Sequence, residues 1–414
     1  MNTFTTITFF IIAILLLDYI VERGLAFLNA RHVKTDLPEP LKDLYNADEY
    51  AKQQDYFKEN QRFGLFTASF SLVLILLMFV FGGFAFVDSL AHQLSGIELL
   101  VSVLFFGILF FANDLVGIPF ELYSQFVIEE KYGFNKATAK VFIGDKLKGW
   151  LLGALIGGGL IALIATIYEL TASYFWLLAW IVIAAFSVFI NMFYSQLIVP
   201  LFNKQTPLEQ GELRDEIQKF ADEVGFNLKN IFVIDGSKRS TKANAYFSGL
   251  GAKKRIVLYD TLINDLSTKE IVAVLAHEIG HYKKKHSLLA LAMSLVNSLI
   301  MLFILGYFLD SNALSQAFGI EQAAFHINLL AFGILYTPVS VVLSLLMYLV
   351  SRRNEYQADA YAASFGLGED LISGLKKLSV KSLSNLQPHP AYVFFYYSHP
   401  TLLQRMDALR NLKK

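Results

Sequence analysis

The chain has 414 residues, of which 55% are hydrophobic and only 17% charged, and its mean hydropathy is +0.47. The 35 basic residues balance the 35 acidic ones, so no global basic field draws in nucleic acid. Cysteine is absent, which excludes disulfides, a thiol nucleophile and any thiolate metal site.

Several apolar runs exceed the roughly 18 residues that mark a membrane-spanning helix, so the expectation is a polytopic membrane protein. The first span is expected over residues 4–27; no basic leader or small-residue cleavage site makes it a signal peptide, and Asp18, Glu22 and Arg23 lie in its second half. Residues 31–62 are too polar to cross. The second and third spans are expected at 63–87 and 97–120, the third carrying Asn113, Asp114 and Pro119. After a charged turn at 129–135, the fourth, 150–167, holds Gly153, Gly157, Gly158 and Gly159, a surface suited to close helix packing. The fifth covers 174–199 and ends at Pro200.

Residues 202–285 read as a soluble insert: a charged, helix-periodic stretch at 207–224, then strands at 230–235, 243–250 and 254–259. A helix starting near Ser267 is expected to run through Lys283, Lys284 and Lys285 straight into a sixth span at 288–309. A seventh, 327–350, contains Pro338 and gives way to a helix bearing Glu355 and a soluble tail. The division is thus 1–201, 202–285, 286–350 and 351–414: a mainly α, seven-helix membrane protein with a small α+β domain. Lys and Arg follow spans one, three, five and seven but are missing from the other three connections, which puts the insert and C-terminus on the cytoplasmic side.

Within the insert, His277-Glu278-Ile279-Gly280-His281 makes chemical sense on a helix, where residues four apart share a face and both imidazoles reach one metal ion. Ser267 and Glu270 form a capping-box signature that starts this helix two to three turns earlier. Glu278 is placed to act on a water at the metal without being a ligand. A catalytic zinc wants a third protein ligand, and Glu355 and Asp359, again four apart, offer one ligand and one carboxylate to hydrogen-bond a ligating histidine. His32, His92, His286, His326 and His389 lack a ligand-spaced partner and read as surface or interfacial residues.

The pairing of H-E-x-x-H with a later E-x-x-x-D resembles the membrane-embedded zinc metallopeptidases of the type I CaaX prenyl endopeptidase family. So do Asn244-Ala245-Tyr246, Ser398-His399-Pro400 and Arg405, and the likeness extends along nearly the whole chain. The resemblance implies one Zn2+ per chain held by His277, His281 and Glu355, with Glu278 as general base. It implies that His399 donates to the oxyanion, that Asn244 lies on an edge strand that pairs with extended substrate, and that Asp359 and Arg405 orient the site. It also implies a helix barrel around a water-filled intramembrane chamber, with which Asp18, Asn113, Asp114, Asn191 and Asn297 are compatible. From the residues alone, Asp359 also reads as an interfacial charge and His399 as an ordinary tail histidine. The implied substrates are prenylated C-a-a-X proteins in a lipid bilayer. A general membrane-protein quality-control protease is the alternative, and a metal-sensing channel or transporter the alternative of another class. Compact length and short loops favour a bacterial inner membrane, the endoplasmic reticulum being the eukaryotic counterpart.

Overall fold

In hydrocarbon each backbone N–H and C=O must be satisfied within the protein, so the apolar runs become long helices. The computed structural model describes residues 5–33, 36–42, 45–226, 231–248 and 255–412. Among them, five helices are long and apolar enough to cross a membrane: Asp48–Val80, Glu98–Glu129, Ala139–Thr171, Phe175–Phe202 and His286–Gly306. A sixth crossing is a bent pair, Phe325–Leu335 and Thr337–Ser364, which meet at 53°. Length and apolarity therefore count five or six crossings. The remaining expected span is the unbroken helix Thr6–Arg31, which carries Asp18, Glu22 and Arg23; the start expected at residue 4 lies outside the described residues.

Neighbour contacts close these helices into a ring. Thr6–Arg31 packs on Ala47–Val80, which leads through the short helix Gly83–Leu94 to Glu98–Tyr123. Gly159–Thr171, Phe175–Leu197, His286–Gly306 and Thr337–Ser364 follow in turn, and the bent pair returns to the first helix. Only 6% to 17% of the most apolar window of each of the five unbent crossings is buried inside the chain, so the outward faces need lipid to cover them.

Several boundaries differ from expectation, each for a local reason. The second span ends at Val80 rather than 87, because Gly82 turns left-handed at φ 67° and starts a separate short helix. The fourth begins earlier, at Ala139, and passes through a wider turn at Gly153–Gly158. There a Cβ on Gly153 would stand 3.2 Å from the Phe110 ring, so glycine lets the two helices approach. The seventh breaks at Tyr336, where Pro338 in the next helix's first turn offers no N–H. Helix Thr337–Ser364 then runs unbroken past Glu355, so no separate tail helix carries that residue. The helix of the two histidines does not continue into the sixth span, since Lys285 adopts φ 60° between them.

The insert folds around a four-stranded sheet in the order β1-β2-β4-β3, with β1 Gln205–Pro207, β2 Ile231–Ile234, β3 Ala245–Ser248 and β4 Arg255–Tyr259. Strands β2 and β4 are parallel and the outer pairs antiparallel, leaving β3 at an edge. Residues 227–230 and 249–254, which include the expected strand starts at 230 and 254 and the expected strand end at 250, lie outside the described residues. β1 was not expected: three residues, Gln-Thr-Pro, carry no alternating apolar signal. The domain core joins Ile217 and Phe220 to Ile256 and Leu258, and packs Ile271, Leu275 and Ile279 of the histidine helix against them. Leu41, Tyr45 and Tyr50, from the polar stretch after the first helix, complete it.

Candidate metal centre and active site

The histidine helix, Thr268–Lys283, starts at the expected capping box: Ser267 Oγ accepts from the Glu270 N–H and Glu270 accepts from the Ser267 N–H at 2.7 Å. Glu270 also accepts from Lys377 Nζ at 2.8 Å and Ser373 Oγ at 2.6 Å, which clamps the helix start to Gly368–Lys381. Burial pushes the Glu270 carboxyl up, but these donors outweigh it and hold its pKa down at about 2.

Gly280 presses against the Glu355 helix, where an added Cβ would stand 3.1 Å from the Ala358 Cα. That close approach brings three donor atoms together. His277 Nε2 lies 3.1 Å from His281 Nε2, and Glu355 reaches them at 3.5 Å and 3.2 Å. Tetrahedral N and O donors about 2.0–2.1 Å from one zinc stand about 3.3 Å apart, so this set fits the ion. Among the described residues it is the one His, Cys, Asp and Glu group gathered tightly enough to hold a metal.

Behind it, Asp359 Oδ1 lies 2.9 Å from His277 Nδ1, and Arg405 grips the carboxylate at both oxygens, Nε donating to Oδ2 at 2.9 Å and Nη2 to Oδ1 at 2.5 Å. Arg405 Nη2 also lies 3.3 Å from His277 Nδ1. With Nε2 turned to the metal position, Nδ1 carries the proton, so the bond that forms is donation to Asp359. Without a metal, burial pushes the His277 imidazole down, but Asp359 and Glu355 outweigh it and lift its pKa to about 9. A metal cation bound at Nε2 would take the place of that proton.

Glu278 is half-buried beside this group. His399 arrives from the tail with Nε2 3.4 Å from Glu355 Oε1, its side chain 62% exposed. Its other nitrogen lies 2.8 Å from Ser398 Oγ. Asn244 is exposed at the head of β3, where its side chain accepts from the Ala245 N–H at 2.8 Å. It lines a cavity of about 970 Å³ with Asn191, Tyr194 and Tyr246.

Two histidines read as superficial are buried. His326, 1% exposed, lies 2.8 Å from Asp88 and 3.2 Å from Ser102 Oγ, which ties two Arg/Lys-poor connections together. His286, 6% exposed, stands against His281. Five residues along one helix would carry it about 140° round from His281. Only the left-handed Lys285 turns it back, and no sequence pattern marks a lysine for that conformation.

A ring of apolar helices that holds an H-E-x-x-H helix against a carboxylate-bearing helix defines an integral-membrane metallopeptidase. Residues 27–204 match the family model described as CAAX prenyl protease N-terminal, five membrane helices, and residues 207–413 match Peptidase family M48. The chain is 36% identical over 402 residues to CAAX prenyl protease 1 of Saccharomyces cerevisiae, covering 91% of this chain and 89% of the relative. It is 36% identical over 412 residues to the CAAX prenyl protease 1 homolog of Oryza sativa, covering 97% and 96%. The crystal structure of S. mikatae Ste24p superposes with a TM-score of 0.93 at 34% identity, covering 98% of this chain and all of that one. The chain belongs to peptidase family M48 and is a multi-pass membrane metalloprotease.

Proposed function

We propose that the chain is a zinc endopeptidase that removes the last three residues from prenylated C-terminal C-a-a-X sequences. The observation that carries this reading is the convergence of His277, His281 and Glu355 on one point. The relatives' naming as CAAX prenyl proteases supports the substrate class. Zinc held there would polarise the scissile carbonyl and bring the pKa of water towards 7.

Glu278 takes the proton of the attacking water and passes it to the leaving amine. Asp359 fixes the His277 tautomer, and Arg405 holds Asp359 in place while offsetting its charge. His399, exposed and 3.4 Å from Glu355, donates to the oxyanion as the carbonyl becomes tetrahedral. Strand β3 is a free edge beside the Asn244 cavity, which supports an extended substrate pairing its backbone there. The helix ring supports a water-filled chamber, with Thr6–Arg31 as a seventh crossing. The four-part division of the chain is kept with it.

The site is proposed to face the cytoplasm, from the loop-charge alternation. Asp88 meets His326 and Tyr168 meets Asp310, so the three Arg/Lys-poor connections gather at one end. The metal group lies a 21-residue helix away from Asp310, about 30 Å. Reporters inserted near Ser95 and fused after Lys414 should fall on opposite sides; both on one side would break this topology. The yeast and rice relatives are matched over most of their length, so compact length does not distinguish the bacterial inner membrane from the endoplasmic reticulum, and both are kept as settings.

The test is proteolysis of one peptide in prenylated and unprenylated form by the purified chain. Cleavage of the prenylated form alone, three residues from its end, is expected. Equal cleavage of both would favour the quality-control reading instead. Membership of a peptidase family leaves a metal-sensing channel without support.

A further inference from the structure

We propose that His286 is a positioning residue for the metal centre, which fixes the tautomer and ring orientation of His281 and so sets how tightly zinc is held. The inference rests on the ligand assignment above. His281 turns Nε2 toward His277 and Glu355, which leaves Nδ1 to be satisfied. His286 Nδ1 lies 3.0 Å from that atom, and His286 Nε2 lies 3.0 Å from Gln357 Oε1.

These contacts allow one assignment of protons when His281 ligates through Nε2. His281 carries its proton on Nδ1 and donates it to His286 Nδ1. His286 must then carry its own proton on Nε2, and Gln357 Oε1 accepts it. Every member is neutral and every ring nitrogen is used. Gln357 stands two residues beyond Glu355, so the relay also ties the histidine segment to the carboxylate helix at a second point.

The contrast with His277 gives the arrangement its chemical sense. Asp359 supports His277, and Arg405 offsets its charge. Glu355, Glu278 and Asp359 already put three carboxylates into this small volume, so another behind His281 would add uncompensated charge. A neutral imidazole orients His281 without that cost. The chain is strained to place it: Lys285, with φ 60°, folds His286 back where a continuing helix would carry it away.

The experiment uses the full chain purified in detergent and measures zinc affinity by competition with a chromophoric chelator. His286→Phe keeps the ring volume and loses the acceptor, and binding is expected to weaken about 10- to 100-fold. His286→Asn keeps an acceptor near the Nδ1 position and should stay within about threefold of wild type. Melting of the metal-free forms should be alike. Wild-type affinity in His286→Phe overturns the proposal, as does equal weakness of Phe and Asn. If His286→Phe does not fold, Gln357→Leu decides: weaker zinc binding supports the relay, and unchanged binding overturns it. Should wild type itself take up no zinc, or His281→Ala bind it as tightly as wild type, the ligand assignment fails instead.

Discussion

His277 and His281 turn the same ring nitrogen toward one point and send the other nitrogen to chemically different partners, a buried carboxylate and a buried neutral imidazole. The histidine pair was legible because the i, i+4 relation on a helix is local; Glu355 and Asp359 were legible as a second i, i+4 pair, but only the resemblance said which of the two joins the histidines. His286 was not, because its place depends on one positive φ. Asn244 lines a cavity with Asn191, Tyr194 and Tyr246, whereas His399 stands 3.4 Å from Glu355. Their variants should therefore differ in kind. Asn244→Ala removes a contact made to substrate and transition state alike and should mainly raise KM. His399→Ala removes a donor whose bond strengthens in the transition state, so kcat should fall about 10²- to 10³-fold with KM little changed. Steady-state kinetics decide it; a His399→Ala effect confined to KM would move that residue to substrate binding.

At the scale of elements, long apolar helices were legible from hydropathy, while their ends were set by residues that hydropathy does not weigh. Gly82, Lys285 and Pro338 each stop or bend a helix through backbone geometry. Gly280 is the costliest-looking residue in the histidine helix, since alanine there would gain about 1 kcal/mol of helix propensity. Its neighbours, Ala358 backbone and the Tyr361 Cβ, have no flexible end that could swing aside. Gly280→Ala is thus expected to cost about 1–3 kcal/mol by overpacking, and to lower zinc content by parting His281 from Glu355. A variant that melts higher than wild type and stays fully loaded would contradict this packing.

The clamp on Glu270 gives the same helix a pH dependence. Its folded pKa of about 2 lies below the ordinary 4.5, so its contribution is fully present above about pH 4.5 and is lost as pH falls toward 2. The stability difference between wild type and Glu270→Gln, on the order of 2 kcal/mol near neutral pH, should shrink over that window. Melting of both metal-free proteins from pH 6 to 3 measures it. A difference that does not change with pH would remove the clamp from the account.

Over the whole molecule, sequence order and spatial order nearly coincide: helices follow one another round the ring, and the bent pair closes it on the first. The peptidase domain is built differently, from pieces far apart in the chain. Leu41 and Tyr50 near the start, Ile256 in the sheet and Met406 near the end share one core. Such long-range joins leave no periodic trace, which is why the stretch after the first helix read only as polar. The metal group itself joins two helices separated in sequence by the crossing His286–Gly306 and the first arm of the bent pair, whose second arm carries Glu355. Zinc per chain in purified Glu355→Ala, beside wild type and Glu278→Gln, tests that junction directly. One equivalent is expected in wild type and Glu278→Gln, and none in Glu355→Ala, where two imidazoles alone remain. A Glu355→Ala protein that keeps one tightly held zinc would contradict the assignment of the third ligand and the site built on it.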